Sequence, residues 1–233
     1  PLVATNRINM PDVAEGILAD GGADLISMAR PLLADPEWAN KARAGRADRI
    51  NTCIACNQAC LDHVFENKKA SCLVNPRACR ETELNYTPAK VIKRIAVVGA
   101  GPAGLSFATV AAERGHQVTL FDAAVEIGGQ FNYAKQIPGK EEFHETIRYF
   151  ENLLAETGVA LRLGQYAQAE QLQADGFDEV IIATGITPRN IKLPGHDHPK
   201  VLSYLDVLRD KKPVGQSVAI IGAGGIGFDV AEY

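Results

Sequence analysis

The apolar run Lys93-Arg-Ile-Ala-Val-Val98 leads straight into Gly99-Ala-Gly101-Pro-Ala-Gly104, and a helical stretch from Ala103 to Arg114 begins inside that turn. No other part of the sequence restricts the fold as tightly. A buried strand that turns on glycines into a helix, then returns through Gly115 into the second apolar run Gln117-Val-Thr-Leu-Phe121, makes a βαβ unit on a parallel sheet. Gly99 permits the tight turn, Gly101 lets a pyrophosphate approach the backbone and the helix N-terminus, and Gly104 lets helix and strand pack closely. Asp122 closes the second strand, where an acid accepts hydrogen bonds from an adenosine ribose. Three spaced glycines alone are a weak signal. With a strand before, a helix after and an acid at the next strand end, they specify a Rossmann-like dinucleotide site.

Residues 93–213 read as one such domain. Gly128-Gly129-Gln130 forms a second glycine loop, with Lys135 and Lys140 near it as phosphate contacts or solvated charges. Phe143, Ile147, Phe150 and Leu154 recur at three- and four-residue steps and predict an amphipathic helix over Glu141–Glu156, ended by Gly158. Val159–Leu163 predicts a strand, and Gln165-Tyr-Ala167 follows where a backbone edge can meet adenine. Asp178–Ala183 predicts a buried strand running into Thr184-Gly185. Residues 214–233 then start again: Ser217–Ile221 predicts a strand, and Gly222-Ala-Gly224-Gly-Ile-Gly227 repeats the fingerprint. Two fingerprints imply two dinucleotides. The residue that separates a 2′-hydroxyl from a 2′-phosphate belongs to a later strand than any present.

Residues 49–92 are loop-rich and hold all five cysteines. Cys53, Cys56 and Cys60 lie close together, and Cys72 follows after eleven intervening residues. A stretch with so few core residues needs something else to order it, and a metal centre would do so. Zinc favours two separated Cys-x2-Cys pairs. Only one such pair is present, and the three-plus-one spacing suits a cubane iron–sulfur cluster. Zinc and disulfides stay open as alternatives, and Cys79 falls outside the pattern. Residues 1–48 read as the last βα units of a barrel: a strand at Leu2–Ala4, a helix at Asp12–Ala19, and a strand at Asp24–Met28 ending in Ala29-Arg30-Pro31. Loops after the last barrel strands hold phosphates in that architecture. Arg7 and Arg30 are candidate phosphate partners there, or plain surface charges.

The 233 residues are 46% hydrophobic and 22% charged, with a net charge of −4, as in an ordinary soluble globular protein. No basic stripe points to nucleic acid. No apolar run approaches the roughly 18 residues of a membrane span, and Pro1–Met10 does not resemble a signal peptide. Clustered cysteines without such a leader predict a cytoplasmic protein. The opening inside a strand-like run and the end barely one turn into a helix read as a segment of a larger polypeptide, whose remainder is then its partner.

The order of Gly99–Gly104, Gly128-Gly-Gln130, Ala183-Thr-Gly185 and Gly222–Gly227 resembles flavoproteins with two dinucleotide-binding domains, the first for FAD and the second for NAD(P)H. The cluster Cys-x2-Cys-x3-Cys-x11-Cys after Ser27-Met-Ala-Arg30-Pro is similar to the iron–sulfur branch of the old yellow enzyme family. Ala4-Thr-Asn-Arg-Ile8, Asn51–Leu61, Lys135-Gln-Ile-Pro-Gly-Lys140 and His198–Asp206 resemble, within that branch, the bacterial NADPH-dependent 2,4-dienoyl-CoA reductases. The resemblance implies that electrons pass from NADPH to FAD, through a 4Fe–4S cluster to FMN, and on to a 2,4-dienoyl-CoA in the oxidation of unsaturated fatty acids. It implies that Arg7 and Ala29-Arg30-Pro31 hold FMN and that Cys53, Cys56, Cys60 and Cys72 ligate the cluster. It also implies FAD contacts from Ala103, Asp122, Gly129, Gln130, Lys140 and Ala167. Asp122 stands where many relatives carry Glu. The proton donors of the family lie on earlier barrel strands, so no catalytic acid is assigned. The competing readings are another barrel–cluster NAD(P)H:flavin oxidoreductase, of enoate reductase or amine dehydrogenase type, and a non-catalytic zinc-bearing module.

Overall fold

Two α/β units carry most of the regular structure in the computed structural model, which describes residues 1–189 and 192–233. The first consists of β1 (Val3–Thr5), α1 (Pro11–Ala19) and β2 (Leu25–Ser27). The two strands pair in parallel, Val3 opposite Leu25 and Thr5 opposite Ser27. This is the strand–helix–strand order expected, within one residue at each end. Pro11 occupies the first helical position, where its missing N–H is no loss. Ala14 packs with Ile8, Trp38 and Ile50 in a small core, and Trp38 donates its indole N–H to the Asn9 carbonyl at 2.9 Å. Two short helices follow that the residue pattern does not predict, α2 (Arg30–Ala34) and α3 (Trp38–Arg43). The cysteine segment adds only α4 (Leu61–Phe65).

The second unit is a four-stranded, wholly parallel sheet. Its strands are β3 (Arg94–Val98), β4 (Gln117–Asp122), β5 (Ala160–Leu163) and β6 (Glu179–Ile182), in the order β5-β4-β3-β6. Helix α5 (Pro102–Glu113) follows β3; α6 (Phe131–Ala134) and α7 (Glu142–Thr157) follow β4. Ile95, Val97, Leu105, Ala108, Leu120 and Leu154 form the main core; β6, expected to be buried, is instead an edge strand, with Val180 42% and Ile182 70% exposed. Gly158 ends α7 in the left-handed conformation, at φ 72°. The chain runs outward from β3 through β4 to β5, then returns to the other side of β3 as β6. That reversal opens a crevice at the carboxyl ends of β3 and β6, the usual ligand position in such sheets.

Helices α8 (Ala169–Ala174), α9 (Tyr204–Leu208) and α10 (Gly225–Glu232) complete the described elements. The strand predicted at Ser217–Ile221 does not form. A strand is held by the N–H and C=O groups of a neighbour, and this segment pairs with none among the described residues; Val218 is 57% and Ile221 70% exposed. No helix among the described residues is long and apolar enough to cross a membrane.

Helix α7 joins the two units. One face packs in the sheet core through Ile147 and Leu154. The other grips the backbone just before the cysteines. Arg148 donates through Nη2 to the Ile50 carbonyl at 2.8 Å and to Thr52 Oγ1 at 3.3 Å, and through Nη1 to the Asp48 carbonyl. Asn152 adds a bond to the same Asp48 carbonyl at 3.2 Å, and Glu156 pairs with Arg46 and Arg49.

Candidate functional site

The cysteines gather because the chain on each side of them is anchored. Ile50 and Thr52 are fully buried, so Cys53 leaves a fixed base. Asn51 takes the Asp35 carboxylate on its N–H at 2.8 Å and donates its side-chain amide to the Val74 carbonyl at 2.7 Å. That second bond ties the arm of Cys53 to the arm of Cys72. The Ser71 N–H donates to the Ala59 carbonyl at 2.7 Å and ties Cys60 to Cys72 in the same way. Between them the loop turns through Ala55 and Asn57, both left-handed at φ 54° and 59°. As a result Cys53, Cys56, Cys60 and Cys72 line one small recess, with Arg30, Ile54 and Asn57 also on its wall. Cys79 lies outside it, exposed.

Burial pushes the thiols of Cys53 and Cys72 above the ordinary cysteine range, and the neighbouring cysteines add to the rise. The positive charge of Arg30 pulls Cys53 the other way. Four thiols in a partly apolar recess are a donor set for a soft metal centre, since thiols lose their protons and bind as thiolates. Among the described residues no three His, Cys, Asp or Glu side chains converge as a single metal ion requires. The four thiols share the lining of one recess, and four soft donors there are the set that a thiolate-ligated centre would use.

A second, more open recess lies beside the first. Thr5, Asn6, Arg7, Ser27, Ala29, Arg30 and Pro31 line it, at the carboxyl ends of β1 and β2. Ala29, Arg30 and Pro31 stand together there as expected. Arg7 reaches the rim, but its guanidinium pairs with Glu142 at the start of α7, which holds it further toward the charged form than an ordinary arginine. Glu142 also accepts from Asn9 at 3.3 Å, and Asn9 donates to the Cys53 carbonyl at 3.3 Å. Arg30 lies on the walls of both recesses.

At the crevice of the larger sheet the fingerprint has the expected shape. A Cβ on Gly99 would stand 2.2 Å from the Ala183 carbonyl oxygen, and one on Gly104 would stand 1.8 Å from the Gly99 oxygen. Both positions therefore exclude any side chain. Gly101 differs: its φ is −77°, and a Cβ there would meet nothing within 4 Å. The protein itself does not require glycine at 101, and the cradle it leaves fits a pyrophosphate. Pro102 opens α5 without an N–H, so the Ala103 N–H is among the first free donors of the helix. Asp122 accepts from the Ala100 N–H at 2.6 Å and the Ala124 N–H at 2.8 Å, one on each oxygen. A carboxylate has about four lone-pair sites, so each oxygen can still take a ribose hydroxyl. Ala167 follows β5 beside this edge, packed against the Ala96, Phe121 and Leu172 cluster.

The second glycine loop closes on the first, since a Cβ on Gly129 would lie 3.1 Å from the Gly101 Cα. Gln130 is exposed and accepts from the Tyr204 hydroxyl at 3.3 Å. Lys140 is engaged by Asp229 of α10 at 2.6 Å. The second fingerprint repeats the first in detail: Gly222 has φ 116° against 111° at Gly99, Gly224 caps α10 at φ −86°, and a Cβ on Gly227 would stand 2.2 Å from the Gly222 oxygen. Asn6, Asn57, Glu142 and Asp229 were not predicted. The usable signal for the two asparagines was their place beside the motifs, since Asn is the side chain that best tolerates left-handed backbone.

Two family models match parts of the chain. The NADH:flavin oxidoreductase / NADH oxidase family model matches residues 1–49. A metal reductase of Desulforamulus reducens is 45% identical over 99% of this chain and 35% of its own length. A cinnamate reductase of Clostridium sporogenes is 36% identical over the whole chain and 35% of its own length. The solved structure of a 2-naphthoyl-CoA reductase complex superposes with a TM-score of 0.94 at 38% identity, over 100% of this chain and 36% of that one. The chain thus spans about a third of the relatives it matches. The pyridine nucleotide-disulphide oxidoreductase model matches residues 93–233, well over half of the chain. The chain belongs to the pyridine nucleotide-disulphide oxidoreductase family.

Proposed function

We propose that this chain is the electron-relay portion of an NADPH-dependent reductase. In this reading FAD binds at the first fingerprint, NADPH at the second, FMN at the recess around Arg30, and a 4Fe–4S cluster on Cys53, Cys56, Cys60 and Cys72. The observation that carries it is the four-thiol cavity sharing Arg30 with the recess at the strand ends. Bound there, the flavins would convert between the two-electron exchange of nicotinamide and the one-electron passage of a cluster. The residues do the rest. Gly101 and Ala103 offer a pyrophosphate bare backbone and a helix N-terminus, Asp122 orients a ribose, and Asn51 holds two cysteine arms at one spacing.

The acceptor we assign is a carbon–carbon double bond conjugated to a carbonyl, with a 2,4-dienoyl-CoA as the specific substrate. Cinnamate and 2-naphthoyl-CoA, named for two relatives, share that conjugation. The substrate pocket and proton donors belong to the rest of the polypeptide, so the isolated 233-residue segment is expected to lack turnover. A zinc module is disfavoured by the cysteine spacing, which holds only one Cys-x2-Cys pair.

The test is Cys56→Ser in the full-length protein, followed by stopped-flow spectra. NADPH should still bleach FAD, while reduction of FMN is lost. FMN reduced at the parent rate would end the relay reading.

A further inference from the structure

Arg30 is the one side chain common to the walls of both recesses among the described residues. Its two terminal nitrogens have different partners. Nη1 donates to Asn57 Oδ1 at 2.6 Å, in the loop between Cys56 and Cys60, and Nη2 donates to Asn6 Oδ1 at 3.1 Å, on the wall of the second recess. Both acceptors sit on left-handed backbone, Asn57 at φ 59° and Asn6 at φ 80°. That conformation is strained for most side chains, and Asn tolerates it better than most. Each asparagine therefore serves its turn and aims an acceptor at the same guanidinium. A planar fork can hold two fixed acceptors at once; a lysine ammonium, as a point charge on a flexible stem, cannot do so with the same geometry.

We propose that Asn6, Arg30 and Asn57 form a bridge that couples the two recesses, fixing one positive charge at the rim of the cysteine cavity and thereby raising the reduction potential of the centre it holds. This rests on the cluster reading above. The physical ground is that cluster potentials follow local charge and hydrogen bonding. An electron entering the centre adds one negative charge, and a cation held at the wall favours that reduced state. Arg30 acts here as a positioning residue: its reach toward the cysteines is set by Asn57 and its reach toward the flavin recess by Asn6.

The two arms can be cut separately. Asn57→Gly and Asn6→Gly each keep the left-handed backbone and delete one acceptor. In the full-length protein, EPR-monitored redox titration of Asn57→Gly should give a more negative cluster midpoint than the parent, with FMN content retained. Asn6→Gly should lose FMN on gel filtration, with the midpoint close to the parent. Arg30→Gln should show both effects, and Arg30→Lys should restore part of the midpoint. A parent protein without iron and acid-labile sulfide overturns the cysteine reading and this proposal with it. A parent that holds the cluster, with Asn57→Gly and Arg30→Gln at the parent midpoint, overturns the bridge alone.

Discussion

Gly101 and Gly104 stand three residues apart in one motif and are glycine for different reasons. A Cβ at 104 would lie 1.8 Å from a backbone oxygen, whereas one at 101 would meet open space. Gly104→Ala should therefore destabilise the domain by about 1–3 kcal/mol, the usual cost of overpacking, and weaken FAD binding as a consequence. Gly101→Ala should leave the melting temperature of the flavin-free protein at the parent value yet lose FAD, because its methyl occupies the pyrophosphate position. Thermal denaturation and flavin content of the two full-length variants check this. Equal destabilisation by both would show that Gly101 is structural. The motif was legible because glycine spacing records backbone approach directly. The partners of Arg7 and Lys140 were not, since Glu142 and Asp229 lie 135 and 89 positions away along the chain. Ion pairs between distant elements leave no local pattern.

At the scale of elements, α7 connects the dinucleotide-binding unit to the cysteines. Its apolar spacing predicted a helix and a buried face, and both are present. The opposite face reads in the sequence as a solvated polar surface. In the fold that face uses Arg148 and Asn152 to satisfy the carbonyls of Asp48 and Ile50, beside a side chain that is 0% exposed at Ile50. Arg148→Ala should cost about 2–3 kcal/mol, the scale of charge-assisted hydrogen bonds with carbonyls left unpaired. It should also speed loss of the visible absorbance of the cysteine centre in denaturant. A full-length Arg148→Ala protein with parent stability and parent bleaching rate would remove α7 from the support of that centre. The strand expected at Ser217–Ile221 makes the opposite point: apolar alternation specifies a strand only where another backbone pairs with it.

Across the whole molecule, the order of parts in the sequence is also an order in space. A recess at parallel strand ends, a four-thiol cavity and a glycine-lined crevice follow one another, and Arg30 and α7 connect neighbouring members. The cysteine spacing made the grouping of four cysteines legible, while the bonds that bring Cys72 to the other three, from Asn51 to Val74 and from Ser71 to Ala59, depend on tertiary structure. The central claim is that these four thiols carry an iron–sulfur cluster within an electron path. The most direct measurement is metal and sulfide analysis of the anaerobically purified full-length protein, with EPR after NADPH reduction. The account predicts iron and acid-labile sulfide in equal amounts, about four of each per chain, and a paramagnetic cluster signal that appears on addition of NADPH. A colourless protein with one zinc ion per chain and no such signal would contradict it.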